Sequence, residues 1–347
     1  MGRRMEGKRM LTEIVNERIV QGQPPFASCH GSHLALLANG DVLAVWFGGS
    51  REGEDDTAIW CARRTNGRWG AVHRLAGDGS EPHWNPVLLS KGNGEVFLFY
   101  KVGRSIKEWR TMVKRSSDDG RTWTEAEELV PGDRGGRGPV RNKVIVLSEG
   151  AWLAPASLED GVWRAFADRS EDGGRHWEKS AEVCVPGSEQ WDIRKVDSDI
   201  PVSEQSFYGR GVIQPTLWES APGKVHMLLR SSEGWIHRSD SEDGGRTWTH
   251  AYPTSLPNNN SGIDVVRMHD GTLILCYNPV GQNWGPRTPL ALSFSRDNGQ
   301  TWSAPRILED GEGEFSYPAI IADGHDVYLT YTWKRENIAF RRFRYSP

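Results

Sequence analysis

One octapeptide pattern recurs four times along the chain and constrains the fold more than any other feature. The copies are Ser116-Ser-Asp-Asp-Gly-Arg-Thr-Trp123, Ser170-Glu-Asp-Gly-Gly-Arg-His-Trp177, Ser241-Glu-Asp-Gly-Gly-Arg-Thr-Trp248 and Ser295-Arg-Asp-Asn-Gly-Gln-Thr-Trp302. A worn copy, Thr65-Asn-Gly-Arg-Trp69, precedes them. The five tryptophans are separated by 54, 54, 71 and 54 residues. The long interval is one repeat carrying an insertion, placed by its polarity between Gly187 and Tyr208. Each copy has the chemistry of a tight turn: the aspartate accepts backbone N–H groups of its own loop, a glycine supplies φ > 0, and the tryptophan packs beneath.

Short β-rich runs surround the turns, among them Val42–Phe47, Val96–Tyr100, Lys224–Leu229, Thr272–Tyr277 and Val327–Trp333. Helical periodicity is nearly absent. A repeat of this length holds about four strands, which is one propeller blade. Five turns close five blades. The remaining runs, Ser316–Ile321, Val327–Tyr331 and Ile338–Tyr345, need a fourth strand, and Glu13–Val20 from the other end of the chain supplies it. The expectation is an all-β, six-bladed β-propeller forming a single domain over residues 1–347, closed by pairing of its N- and C-terminal strands.

Composition narrows the partners. Lys+Arg total 42 against Asp+Glu 46, a formal net charge of −4, so no broad basic face for nucleic acid is expected. No run approaches the roughly 20 apolar residues of a membrane span. The N-terminal segment has charge without an apolar core, and Cys29, Cys61, Cys184 and Cys276 lack metal-ligand spacing. A cytoplasmic location, no metal and no cofactor are expected.

The S-x-D-x-G-x-T-W pattern is the Asp-box, and on these four copies the chain resembles the sialidase (neuraminidase) superfamily, including bacterial proteins called predicted neuraminidases. The resemblance implies that the box aspartates are structural and that the pocket is lined by the start of each blade's innermost strand. Those positions read His30, His33, Arg51, Glu52, Asp55 and Asp56; His83 and Asn85; Arg141, Asn142, Lys143 and Glu159; Gln214 and Arg230; Asn260, Ser261, Asp264 and Arg287; Glu314 and Tyr317. Sialidases use three arginines for the substrate carboxylate, a tyrosine nucleophile with a glutamate partner, and an aspartic acid as acid/base. Tyr317, in Phe-Ser-Tyr-Pro-Ala, looks like that tyrosine. Arg287 resembles the third arginine and Arg230 the second. Asp55 or Asp56 lies in the loop of the acid, and Arg51 resembles an accessory arginine there. The chain departs from the pattern at two points. Phe26-Ala-Ser-Cys-His-Gly-Ser-His33 replaces the segment of the first arginine, and Gln214 stands where the glutamate is expected, leaving Glu219, Glu204 or Glu159 as substitutes.

The residue types suit an acidic sugar. Guanidinium forks match carboxylates, and an initially neutral phenol is not repelled by an anionic substrate. Tyr317, Asp56, Asp55 and His30 are therefore the catalytic candidates. Arg230, Arg287, Arg51, Gln214, His33, Asn85, Arg141, Asn142, Lys143 and Asp264 are the binding candidates. Trp109, Trp191 and Trp284 can stack on sugars. Three functions stay open: a sialidase-like exo-glycosidase on a terminal acidic sugar; a rhamnosidase-like hydrolase or polysaccharide lyase on uronate glycans; a carbohydrate-binding propeller without catalysis.

Overall fold

A computed structural model describes residues 10–191 and 209–347, so part of the expected insertion and Glu204 lie outside the described residues. The protein is an all-β propeller, whose described residues contain two single-turn 3-10 helices, Ile106–Glu108 and Ser188–Gln190. Strands follow one another as antiparallel meanders. The first runs through Ser28–Leu36, Val42–Gly49 and Ala58–Thr65, the second through His83–Ser90, Val96–Val102 and Arg110–Ser116.

Hydrogen bonding divides the strands into five sheets rather than six separate ones. Four sheets are single meanders. The fifth has eight strands, because Gly161–Trp163 pairs in parallel with Gly209–Gly211 and fuses two meanders. Small size permits this: Gly209 and Gly211 pack directly on Trp163, where a Cβ would collide. The terminal sheet closes as expected, with Leu11–Arg18 antiparallel to Asn337–Tyr345.

Burial explains the strand chemistry. Val42–Gly49 is buried along its whole length, as a strand flanked by neighbouring sheets requires, whereas the outer strand Leu11–Arg18 buries only Leu11 fully. Cores form between sheets. Trp46, Phe26, Tyr328 and Phe340 fill the seam between the first and terminal sheets, and Trp218, Ile236, Val265 and Tyr277 fill another.

The Asp-box turns bolt neighbouring sheets together. In the third box, Asp243 Oδ1 accepts from the backbone N–H of Arg246 (3.1 Å) and Thr247 (2.9 Å), and Oδ2 accepts from Thr247 Oγ1 (2.6 Å). Trp248 Nε1 donates to Gly245 O at 3.1 Å and closes the turn. In the last box Asn298 reaches the preceding meander, accepting from Trp218 Nε1 at 2.7 Å on its side chain and from Arg238 Nη1 at 2.7 Å on its carbonyl. Although partial burial raises it, the Asp243 carboxyl is held down to about 2 by the bonds from Thr247 and Ser241.

Asp243→Ala is expected to cost about 1–3 kcal/mol, the scale of hydrogen bonds to a charged group, and to leave catalytic constants of the folded fraction unchanged; denaturant unfolding and steady-state kinetics check both. The same depressed carboxyls set the acid limit. A group whose folded pKa lies below its unfolded value near 4 stabilises above that value and loses the contribution as pH falls through the folded one. Melting temperature should therefore decline between about pH 4 and pH 2, and in Asp243→Ala the decline should be shallower.

Candidate functional site

Six residues, one per meander, take positive φ, and five of them are L-residues that ordinarily avoid it. They are Gly31 (φ 60°), Asn85 (47°), Arg141 (69°), Gln214 (48°), Asn260 (59°) and Tyr317 (52°). Each lies in the first strand of its meander or in the turn leading into it. At four of them the pairing register slips, between His30 and His33, Trp84 and Val87, Ile213 and Thr216, and Ser316 and Ala319. These are β-bulges, which turn a side chain out of the pleat at about 1–3 kcal/mol for each left-handed non-glycine residue. Proline follows three of them, at Pro86, Pro215 and Pro318. A proline inside a run that otherwise reads as a buried strand is the signal that could have located the bulges.

The bulges bring distant side chains together around Tyr317. Arg230 Nη1 donates to Tyr317 Oη at 2.6 Å and to Gln214 Oε1 at 3.0 Å, while its Nε donates to Asn260 Oδ1 at 2.8 Å. The guanidinium carbons of Arg287, Arg141 and Arg230 stand 5.1, 5.2 and 5.6 Å from the centre of the Tyr317 ring. His30 packs on the same ring at 4.1 Å between centroids. Arg141 donates to the carbonyls of Ser32 (3.2 Å) and Pro318, which fixes it against the tyrosine. Burial pulls its pKa down to about 10, so it remains a cation at neutral pH.

A carboxylate stands one amide away. Gln214 Nε2 donates to both oxygens of Glu159 at 3.2 and 3.3 Å, so Glu159, Gln214, Arg230 and Tyr317 form one chain. Glu219 lies elsewhere, accepting from Ser148 N at 2.7 Å and Gly223 N at 3.1 Å. Of the two substitutes among the described residues, Glu159 is the one connected to Tyr317.

On the other side, opposite charges alternate. Arg287 Nη1 donates to Glu314 Oε1 at 2.7 Å, Arg335 Nε donates to Glu314 Oε2 at 2.7 Å, and Arg335 Nη1 reaches Glu52. Burial alone pushes the Glu314 carboxyl up, yet Arg287 and the other charges beside it hold it far below the usual range. Burial first, and then Arg335, lowers His30 well below the ordinary imidazole value, so this ring is neutral at pH 7. Arg335 was not among the sequence candidates. It occupies a left-handed turn position (φ 58°) between two strands, where arginine usually faces solvent.

Four binding candidates have a different duty. Asp264, fully buried, accepts from Lys143 Nζ (2.6 Å), Thr216 Oγ1 (2.6 Å) and the backbone N–H of Ile320 (2.9 Å), joining four meanders. Asn142 Nδ2 donates to the carbonyls of Gln214 and Pro215, each at 3.0 Å. His33 Nδ1 accepts from Leu88 N at 3.2 Å, which places its proton on Nε2. Burial, then Arg141 and Lys143, keeps His33 neutral as well. Asp264, Lys143, Asn142 and His33 follow the bulges by one to four residues, and their side chains staple adjoining meanders.

The acidic loop also departs from expectation. Asp55 pairs with Arg104 at 3.0 Å, Arg51 pairs with Glu54, and Asp56 accepts from Ser50 N at 2.9 Å; all three residues are exposed. None contacts Tyr317 among the described residues. Glu52 is the carboxylate through which this loop meets the ring of charges. Among the described residues no group of three or more His, Cys, Asp or Glu side chains could hold a metal ion.

Residues 40–329 match a family described as a BNR repeat-like domain. A crystal structure of a protein of unknown function from Dyadobacter fermentans is similar over 97% of this chain and 99% of its own, with 14% identity and a TM-score of 0.74. A Trypanosoma rangeli sialidase in complex with the inhibitor DANA is similar over 96% of this chain, with 14% identity and a TM-score of 0.68; the chain spans 59% of that enzyme. A mutant of the NanB sialidase from Streptococcus pneumoniae is similar over 94% of this chain and 70% of its own, with 12% identity and a TM-score of 0.71. At these identities the likeness is one of fold.

The staple assignment carries its own prediction. Asp264→Ala leaves Lys143 buried without a counter-ion, a change that typically costs about 3–5 kcal/mol. Unfolding in denaturant should show that loss, whereas Asp55→Asn and Asp56→Asn should each change stability by less than about 1 kcal/mol.

Proposed function

The chain belongs to the family of BNR repeat-like domains, within the sialidase superfamily of propellers, and from that premise we propose a glycoside hydrolase that removes a terminal acidic sugar from a glycan. In this reading the chain is one domain of six blades, the eight-stranded sheet counting as two. The observation that carries the proposal is the 2.6 Å bond from Arg230 to the Tyr317 hydroxyl, with Arg141 and Arg287 flanking the same ring.

Arg230 and Arg287 hold the sugar carboxylate, and Tyr317 Oη attacks the anomeric carbon as the glycosidic C–O bond breaks. A phenol is a weak nucleophile near neutral pH. The surrounding guanidiniums stabilise negative charge on its oxygen as its proton passes to a water molecule, in a setting already arranged before substrate arrives. Glu159 acts through Gln214, whose Oε1 it turns toward Arg230, and so positions the cation that touches the tyrosine. The leaving oxygen takes its proton from the acidic loop that contains Asp55 and Asp56. Water then releases the sugar from the tyrosine.

The contact between neutral His30 and Tyr317 favours a second reading, elimination at a uronate. There the neutral imidazole takes the proton beside the carboxylate and the phenol protonates the leaving oxygen.

A screen of aryl sialoside, uronides and rhamnoside with product detection separates the readings. A released acidic sugar supports hydrolysis, an unsaturated uronate absorbing in the ultraviolet supports elimination, and turnover of the neutral rhamnoside alone would remove the carboxylate from the proposal. Tyr317→Phe should lower kcat by about a thousandfold or more, equivalent to ~4 kcal/mol, with an unchanged melting temperature. Arg287→Ala should raise KM for the acidic substrate by roughly 10–100-fold, as expected for a charge-assisted hydrogen bond, and near-normal KM would dismiss it from the clamp.

A further inference from the structure

Among the non-glycine bulge residues, four spend their side chains on other protein groups. Arg141 bonds the Ser32 and Pro318 carbonyls, Gln214 bonds Glu159 and Arg230, Asn260 bonds Arg230 and Asn283 Oδ1, and Tyr317 bonds Arg230. The fifth, Asn85, makes no side-chain hydrogen bond among the described residues, although it is only 5% exposed. Its backbone also carries the cost of a left-handed bulge, with φ at 47°. Its amide atoms keep contact with solvent, so a strained backbone presents an unpaired amide to an accessible space. Structural packing does not need that combination.

Its surroundings define what it can bind. A Cβ built on Gly31 would lie 3.5 Å from Asn85 Oδ1 and against the Phe47 ring, so the amide stands beside the bulge of the first meander. The residue before Gly31 is His30, which is neutral and packs on Tyr317. This flank of the pocket therefore has an amide, an imidazole and an aromatic wall. Arg141, Arg230 and Arg287 surround the neighbouring Tyr317 ring, partly balanced by Glu159 and Glu314. An anionic group is drawn to the guanidiniums. What suits the amide is a neutral group able to donate and accept, which among sugar substituents is a hydroxyl.

We propose that Asn85 is a specificity-determining residue that hydrogen-bonds one neutral hydroxyl of the sugar whose carboxylate the arginines hold. The proposal rests on the acidic-sugar reading of this site, and it adds that the bound unit has a single negative end and a hydroxylated end, held at the same time.

Calorimetric titration of the full chain tests this with glucuronic acid and N-acetylneuraminic acid, their methyl esters and their monodeoxy analogues. Asn85→Gly is the variant of choice, because glycine occupies the equivalent bulge at Gly31 and accepts positive φ without strain. Asn85→Asp, of the same shape but lacking the N–H donor, serves if the glycine variant melts early. Either variant should bind the recognised acid about tenfold more weakly, the scale of one or two neutral hydrogen bonds. One monodeoxy analogue should be equally weak with wild type and variant, which identifies the hydroxyl. Unchanged affinity for the acid, or an equal further loss for every deoxy analogue, overturns the role of Asn85 while the acidic-sugar reading stands. An ester that binds as well as its acid overturns that reading and leaves the Asn85 contact to be judged by the deoxy series alone. If neither acid binds wild type, both fall.

Discussion

A strand buried between two neighbouring sheets has no natural place for a guanidinium, an amide or a phenol. The left-handed bulge resolves the conflict. It interrupts the pleat for one residue, turns that residue's side chain toward its counterparts on other meanders, and returns the strand to its ladder two residues later. The side-chain cluster around Tyr317 depends on that device. Arg141, Gln214 and Tyr317 come from positions far apart in the chain, yet they meet because each first strand breaks at the same level. The strain is affordable because the apolar seams on both sides over-determine the backbone.

A second layer holds the first in register. Asp264 accepts hydrogen bonds from three other meanders, Asn142 spans to Gln214 and Pro215, and His33 accepts from Leu88. Polar groups so deeply buried are tolerable only when paired. Their pairing across seams ties the meanders in a fixed order around the axis. Charge in the pocket follows the same rule of compensation. Glu314 lies between Arg287 and Arg335, and Glu159 answers Arg230 through an amide. The excess of positive charge around Tyr317 is therefore local and moderate.

The legibility of the site divides along the same two layers. That Tyr317, Gln214, Asn85 and Arg141 share one level follows from a first strand's place in a repeat, because equal steps along the chain become equal heights around the axis, whereas Arg230 comes from a second strand and Arg287 from a loop. His33, Asn142, Lys143 and Asp264 were misplaced because residues one to four apart share a strand but not a face, and the bulge shifts the alternation that separates inside from outside. Asp55, Asp56 and Arg51 illustrate a different limit. Their loop was found, but which of its charges turns inward is set by Arg104, Ser50 and Arg335, none of which the local sequence announces.

Read alone, the sequence determined the β-rich repeat, the Asp-box turns and the meeting of the two chain ends in one sheet. Those properties follow from short-range turn chemistry and from the arithmetic of strands, and both are written in consecutive residues. Tertiary structure decided that Glu159 is the carboxylate linked to Tyr317, that Arg335 joins the pocket, and that two meanders share one eight-stranded sheet. Each of these rests on side chains or strand edges meeting across tens to hundreds of residues, where contact depends on how the sheets close about the axis and not on spacing along the chain.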